Sequence, residues 1–191
     1  MKALKKDSQS TSLFKDSDKA WIQTFTGKRI NVFDPWYGDI KIADIAHALS
    51  NICRFTGHCQ QFYSVAEHSY YVSQYVPRSM AMKGLLHDAS EAYLCDVPRP
   101  IKPHLTNYAG IEHMLTMEIF KRFGLNPGIP DEIKDYDGKL CVTEGYYMMN
   151  GIDGWELAKK FKPILNFDFQ YWTPEKAESM FLNRFIKLSN L

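Results

Sequence analysis

The chain has 191 residues, 45% of them hydrophobic and 14% aromatic, with 23 basic residues against 22 acidic ones for a formal net charge of +1. That length and apolar content suit one folded domain with a sizeable core and exclude a disordered chain. The balanced charge excludes a field that would recruit nucleic acid or an anionic membrane nonspecifically, so any anion must be held locally.

No apolar run approaches the roughly 18 to 20 residues of a membrane span, and the basic start MKALKKDSQSTSLFKDSDK is not followed by the apolar stretch of a secretory signal. Cys53, Cys59, Cys95 and Cys141 include no C-x-x-C pair, which argues for reduced thiols and against a zinc finger. The expected compartment is the cytoplasm, with neither nucleic acid nor membrane as a partner.

Residues 1–19 are polar and without periodicity, and read as an N-terminal arm; 20–191 read as a single all-α domain with a short β-hairpin at its start. The hairpin falls in WIQTFTGKRINVFDP, turning at Thr26-Gly27-Lys28 and closed by Asp34-Pro35. Ile42, Ile45, Ala46 and Leu49 make one face of a first helix. Ser64-Val65-Ala66-Glu67 has the form of a capping box that opens the helix carrying His68. Met80 to about Tyr93 reads as the next helix, with Pro98, Pro100 and Pro103 forcing an extended segment after it. Tyr108–Phe123 carries a stripe of Ile111, Leu115, Ile119 and Phe123 and stops at Gly124. Pro130-Asp131 opens a helix with Asp137, Leu140, Cys141 and Glu144, and Thr173-Pro174 caps a last helix running to Leu188. No repeat interrupts this order.

Chemistry concentrates in GLLHDASEAYLCDVPRPIK, where His87-Asp88 is followed by Glu91 and preceded nineteen residues upstream by His68. On a helix, His87 and Asp88 point about 100° apart and can straddle one ion, while Glu91 at i+4 returns to the face of His87. Asp137 completes a set of two imidazoles and two carboxylates, with Asp135 its competitor; the spacing to Leu140 and Glu144 favours Asp137. Such a set suits zinc, iron, cobalt or manganese, with zinc the first choice, and the absence of thiolates points to a catalytic site open to water. A bound cation would lower the pKa of its water to about 7 and polarise a phosphoryl oxygen, leaving Glu91 to handle the proton. Buried His-Asp pairs also serve purely structural roles, but the full constellation with Arg54 and Lys102 flanking it favours a phosphoester-cleaving metal site.

CRFTGHCQQFYSVAEHS, GLLHDASEAYLCDVPRPIK and YDGKLCVTE together resemble the HD-domain metal phosphohydrolases, in the branch of the bacterial 5′-deoxynucleotidases and phage dATP triphosphohydrolases. The likeness covers roughly residues 21–145. The TFTGKRINVFDP and DIAHALSNICRF runs resemble the phage group, which serves genomes containing 2-aminoadenine by removing dATP. The resemblance implies an HD-domain helical bundle holding one divalent metal, zinc first and cobalt or manganese as alternatives, on His68, His87, Asp88 and Asp137. It makes Glu91, beside Asp88, the catalytic acid/base and aims Arg54 and Lys102 at phosphate. Phe55 stands where that branch has an aromatic residue, usually Trp, against base or sugar, and Asp96 matches an aspartate that favours deoxyribose, although it also reads as a helix-end turn residue.

The implied reaction is hydrolysis of a deoxynucleotide at the α-phosphorus, dATP giving deoxyadenosine and triphosphate. A 5′-deoxynucleotidase acting on dNMPs, a nucleotide sensor without turnover and a structural interaction protein are the rival readings. Arg99 and Lys83 are the candidate contacts for the outer phosphates. The family's habits imply a homo-oligomer, dimer or hexamer. His47 and His58 read as fold-supporting, His104 and His113 show no partner, and Tyr146–Met149 reads as core or subunit face. The segment after residue 150 shows no chemistry.

Overall fold

The computed structural model describes residues 19–190, so the N-terminal arm, but for Lys19, lies outside the described residues. Among the described residues the regular structure is mostly helical, with one two-stranded hairpin, as expected of an all-α protein. Strands β1 (Trp21–Gln23) and β2 (Arg29–Asn31) pair antiparallel with Ile22 opposite Ile30. Gly27, at φ 77°, takes the left-handed turn position that a side chain would resist. The turn is docked by Thr26, whose N–H and Oγ1 donate to the two carboxylate oxygens of Asp44 at 2.6 and 3.0 Å.

Asp44 belongs to α1 (Ile42–Asn51), which buries Ile45, Ala46 and Leu49. His47 on its edge is a fold residue: its ring stacks on Phe25 at 3.8 Å, and its Nδ1 meets Glu178 at 3.0 Å. The following loop is pinched by a bridge between Cys53 and Ser64, with Arg54 N–H donating to the Tyr63 carbonyl at 2.8 Å. Then α2 (Val65–Tyr75) begins, with Ser64 Oγ accepting from the Glu67 N–H. Only that half of the capping box forms. The Glu67 carboxylate turns instead to the backbone N–H groups of Gln170, Tyr171 and Trp172, tying the C-terminal segment to the body.

Helix α2 is central because it serves two apolar cores. Val65 and Ala66 join Leu49, Leu86, Leu115, Ile119 and Phe181 in one, while Tyr71 and Val72 join Tyr63, Ile133, Leu140 and Phe169 in the other. Each fully buried Leu, Ile or Phe contributes about 1.5 to 3 kcal/mol. Helix α3 (Ala81–Leu86) lies against α2 so closely that a methyl on Gly84 would stand 2.9 Å from Val76 and 3.2 Å from the Ser73 backbone. This contact brings the residue after α3, His87, beside His68.

The expected helix from Met80 to Tyr93 is not continuous. It ends at Leu86, passes through a turn over 87–90 and resumes as α4 (Glu91–Leu94). The N–H groups of Ala89, Glu91, Ala92 and Tyr93 bond three residues back, a tightening from α to 3₁₀ pitch. The three-proline segment is likewise turned, not extended: the Pro98 carbonyl accepts from Ile101 and Lys102, and Lys102–His104 forms a 3₁₀ turn. This curl returns Lys102 toward Glu91. Helices α5 (Tyr108–Arg122), α6 (Asp131–Met148) and α8 (Pro174–Ser189) follow the sequence pattern, with a short α7 (Glu156–Lys160) that the periodicity did not announce.

Candidate metal centre

Three helical elements converge on one point. His68 Nε2, His87 Nε2 and a carboxylate oxygen of Asp137 lie within 4.8 Å of one another. Asp88 Oδ2 lies 3.6 Å from His68 Nε2 and 3.1 Å from His87 Nε2. The structure thus gathers His68, His87, Asp88 and Asp137, from α2, the turn after α3 and α6. Asp135, the competitor on α6, instead pairs with Lys160 on the surface.

The far nitrogens of the two imidazoles fix their tautomers. His87 Nδ1 faces the Gly84 carbonyl at 2.8 Å, an acceptor only, so the proton sits on Nδ1 and Nε2 carries the lone pair. His68 Nδ1 meets Glu144 Oε1 at 2.6 Å. Both Nε2 atoms are buried without a hydrogen-bond partner, the 3.3 Å approach of Asp137 to His68 lacking hydrogen-bond geometry. Orphaned nitrogens of this kind, each braced from behind and flanked by carboxylates, fit a divalent cation.

Glu144, which the sequence reading used only as a spacing mark for Asp137, has a place of its own at the centre. It is completely buried on α6 and receives His68, Tyr63 OH at 2.9 Å and Arg54 Nη2 at 2.9 Å. Burial alone would raise its pKa, but Arg54 and then His68 outweigh burial and hold it below the usual carboxylate range. Asp137 and Glu144 are seven residues, about two helical turns, apart on α6, and each is followed by a glycine. Those glycines are seats for aromatic rings: a methyl on Gly138 would stand 2.7 Å from Phe161, and one on Gly145 would stand 2.7 Å from Trp155. The D-G-x₅-E-G pattern was the available signal.

Among relatives, the chain is 38% identical over 175 residues to the protein YfdR of Escherichia coli (strain K12), a match taking in 90% of this chain and 97% of YfdR. The chain belongs to the YfdR family. It is also 36% identical over 126 residues to the protein RCAP_rcc00048 of Rhodobacter capsulatus, covering 61% of this chain and 64% of that protein. Both relatives are described as uncharacterized, so the likeness gives a family and not an activity. No family model matches the chain.

The centre of this YfdR-family chain opens into a cleft of about 800 Å³ lined at one end by Arg54, Asp88, Glu91, Asp96, Lys102 and Asp137. Arg54 is buried, with Nη1 at 3.6 Å from Asp96 and 3.9 Å from Asp88. Asp96 therefore faces the guanidinium as well as the cleft. Glu91 is buried; burial first, then Asp88 and Asp96, raise its carboxyl well above the usual range, against the pull of Lys102 at 3.3 Å. Lys102 is shared with Glu112 of α5 at 2.7 Å, a partner the sequence did not disclose. Burial would raise the pKa of Asp88, but His87, His68 and Arg54 overcome it and hold its carboxyl well below the ordinary range. Asp137, similarly opposed by burial, is held down to about 2, chiefly by His68.

At the other end the wall is Phe55, Thr56, His58, Met149, Trp155 and Leu157. Phe55 and Thr56 have φ of 54° and 56°, left-handed values that cost about 1 to 3 kcal/mol each and are held by the pinched loop. The Phe55 ring packs on Trp155 at 5.9 Å and under the Arg54 guanidinium at 5.4 Å. The segment after residue 150 thus forms part of the cleft. Arg99 lies on the rim and donates to Asp137 at 2.9 Å, whereas Lys83 donates to the Gly128 carbonyl and does not line the cleft. Nor do His104 and His113. The four cysteines are free, with Cys53 and Cys59 Sγ atoms 3.4 Å apart. No helix among the described residues is long and apolar enough to cross a membrane.

Proposed function

We propose that the chain is a metal-dependent phosphohydrolase of the HD-domain kind that cleaves deoxynucleotides at the α-phosphorus, dATP to deoxyadenosine and triphosphate being the first reading. The observation that carries this is the pair of buried, partnerless Nε2 atoms on His68 and His87 facing Asp88 and Asp137, with a raised-pKa carboxyl and two basic side chains beside them. His68, His87, Asp88 and Asp137 would hold the ion. Zinc leads, with cobalt or manganese as alternatives. When bound, a divalent cation supplies an acidified water at neutral pH and polarises a phosphoryl oxygen.

Arg54 and Lys102 orient the α-phosphate and stabilise the charge that develops as water attacks in line and the P–O5′ bond breaks. Glu144 and Asp96 hold the Arg54 fork in place. Glu91 Oε2, buried and without a hydrogen-bond partner, is placed to move the proton that ends on the departing O5′. Its raised pKa suits a carboxyl that must exchange a proton near neutral pH. Phe55 faces the base or sugar, and Asp96 lies where a deoxyribose preference would be set.

One observation favours a second reading, a 5′-deoxynucleotidase. The cleft is lined by Asp88, Glu91, Asp96, Asp137 and Glu156 against Arg54, Arg99 and Lys102, a balance that suits a monophosphate better than a polyphosphate. Arg99 is then the basic side chain left for outer phosphates. Product analysis after incubating metal-loaded protein with the four dNTPs and, separately, the four dNMPs decides between them. Deoxyadenosine with intact triphosphate is the expected result, nucleoside with phosphate from monophosphates alone selects the nucleotidase, and no turnover with zinc, cobalt or manganese contradicts both.

A further inference from the structure

The cleft has a charged end that accounts for phosphate, and an aromatic end built partly from a segment outside the metal-ligand helices. Trp155 precedes α7 and is only partly buried. The far edge of its indole, Cη2 and Cζ3, rests on Gly145, one residue beyond Glu144. Its ring adjoins Phe55 at 5.9 Å between centroids and 46° between planes, too close for a base to slide between them. The two rings therefore form one angled wall, which a base can meet on a ring face but cannot enter between the rings. Arg54, next to Phe55 in the chain, sets its guanidinium over that ring at 5.4 Å, so the basic group and the aromatic wall adjoin directly.

We propose that Trp155 is a specificity-determining residue whose indole, with Phe55, forms a stacking wall that selects purine over pyrimidine bases in the substrate. This rests on the reading of the cleft as a nucleotide site. Stacking on an aromatic side chain grows with the overlapping ring area and tolerates any flat heterocycle. A bicyclic purine overlaps more of the bicyclic indole than a single-ring pyrimidine does, with Phe55 closing the side of the stack. The left-handed backbone at Phe55 and Thr56, with Gly57 continuing it at φ 80°, fixes the first ring, and the Gly145 seat fixes the second.

The test uses full-length, metal-loaded protein and 5′-phosphonate analogues of deoxyadenosine monophosphate and deoxycytidine monophosphate, in which carbon replaces O5′ and cleavage is blocked. Tryptophan fluorescence and Kd are both read. The wild type should be quenched by the purine analogue and bind it more tightly than the pyrimidine one. Trp155→Leu should lose most of the quench and bind the purine analogue about 5- to 150-fold more weakly, the range base stacking represents, with the pyrimidine less affected. Trp155→Phe, which keeps a ring on Gly145, should lose the Trp155 quench as Trp155→Leu does but bind the purine analogue with intermediate affinity. Thermal melting and metal content guard against a misfolded variant. Unchanged quench and unchanged preference in both variants would overturn the assignment while leaving the nucleotide site intact. Failure of both analogues to bind the wild type would overturn the nucleotide site as well.

Discussion

The charged wall of the cleft and its aromatic wall are built by different means. At the charged wall the basic side chains are braced from behind: Glu144 holds His68 and Arg54, the Gly84 carbonyl holds His87, and Glu112 holds Lys102. These braces come from helices packed on two apolar cores. The aromatic wall relies on the Trp155 ring edge seated against Gly145 and on the strained loop that carries Phe55. The difference teaches where exactness is needed. The imidazoles and the Arg54 fork are positioned by hydrogen bonds from behind, while the Phe55 and Trp155 rings are positioned by packing.

Breaking the charged wall at its proton-handling group should have the largest effect. Glu91→Gln should lower hydrolysis about 10²- to 10⁴-fold while metal content, read by mass spectrometry, stays at the wild-type level. A parallel loss of metal would mean that Glu91 is structural. Glu144→Ala comes next. It removes the brace common to His68, Arg54 and Tyr63, and should weaken metal binding about 10- to 100-fold. Leaving the buried guanidinium without its carboxylate should also cost about 3 to 5 kcal/mol in denaturant unfolding.

The pH response sharpens the comparison further. His68 is pulled down by burial and Arg54, but Glu144 and Asp137 prevail and raise it from its ordinary 6.5 to about 9. In chelated protein the stability contributed by its proton is complete below about pH 6.5 and is lost as pH rises through about 9. Metal loading keeps the imidazole neutral, so that slope should vanish. Melting temperatures across this range, with chelator and with zinc, check the sign. The smallest effect belongs to the cap of α2: Ser64→Ala should cost about 1 kcal/mol, read as a shift in melting temperature, with little change in metal content.

The sequence carried more of the charged wall than of the aromatic one, for physical reasons. His68, His87, Asp88, Glu91 and Asp137 stood out because ligand chemistry allows few residue types. Periodicity placed α1, α2, α5, α6 and α8, since each buries a stripe. It could not show that the helix tightens at His87, because 87–90 keeps a helical composition while its hydrogen bonds shift by one residue. Glu144 looked like any polar residue on a helix until Arg54, ninety residues away in sequence, was seen to end on it. Trp155 lay in a segment without periodicity, and only the glycines of α6 hinted that rings would land there. Glu67 fitted a local motif, yet its carboxylate serves backbone a hundred residues downstream.

The central claim, that the braced imidazoles and carboxylates form a metal site, is tested most directly by metal stoichiometry. Full-length wild type and His87→Ala would be chelated, reloaded with zinc, dialysed and measured by mass spectrometry, with circular dichroism to verify the fold. About one ion per wild-type chain is expected, with a marked loss in the folded variant. A wild type that retains no zinc, cobalt or manganese, or a folded variant that retains as much as wild type, would contradict it.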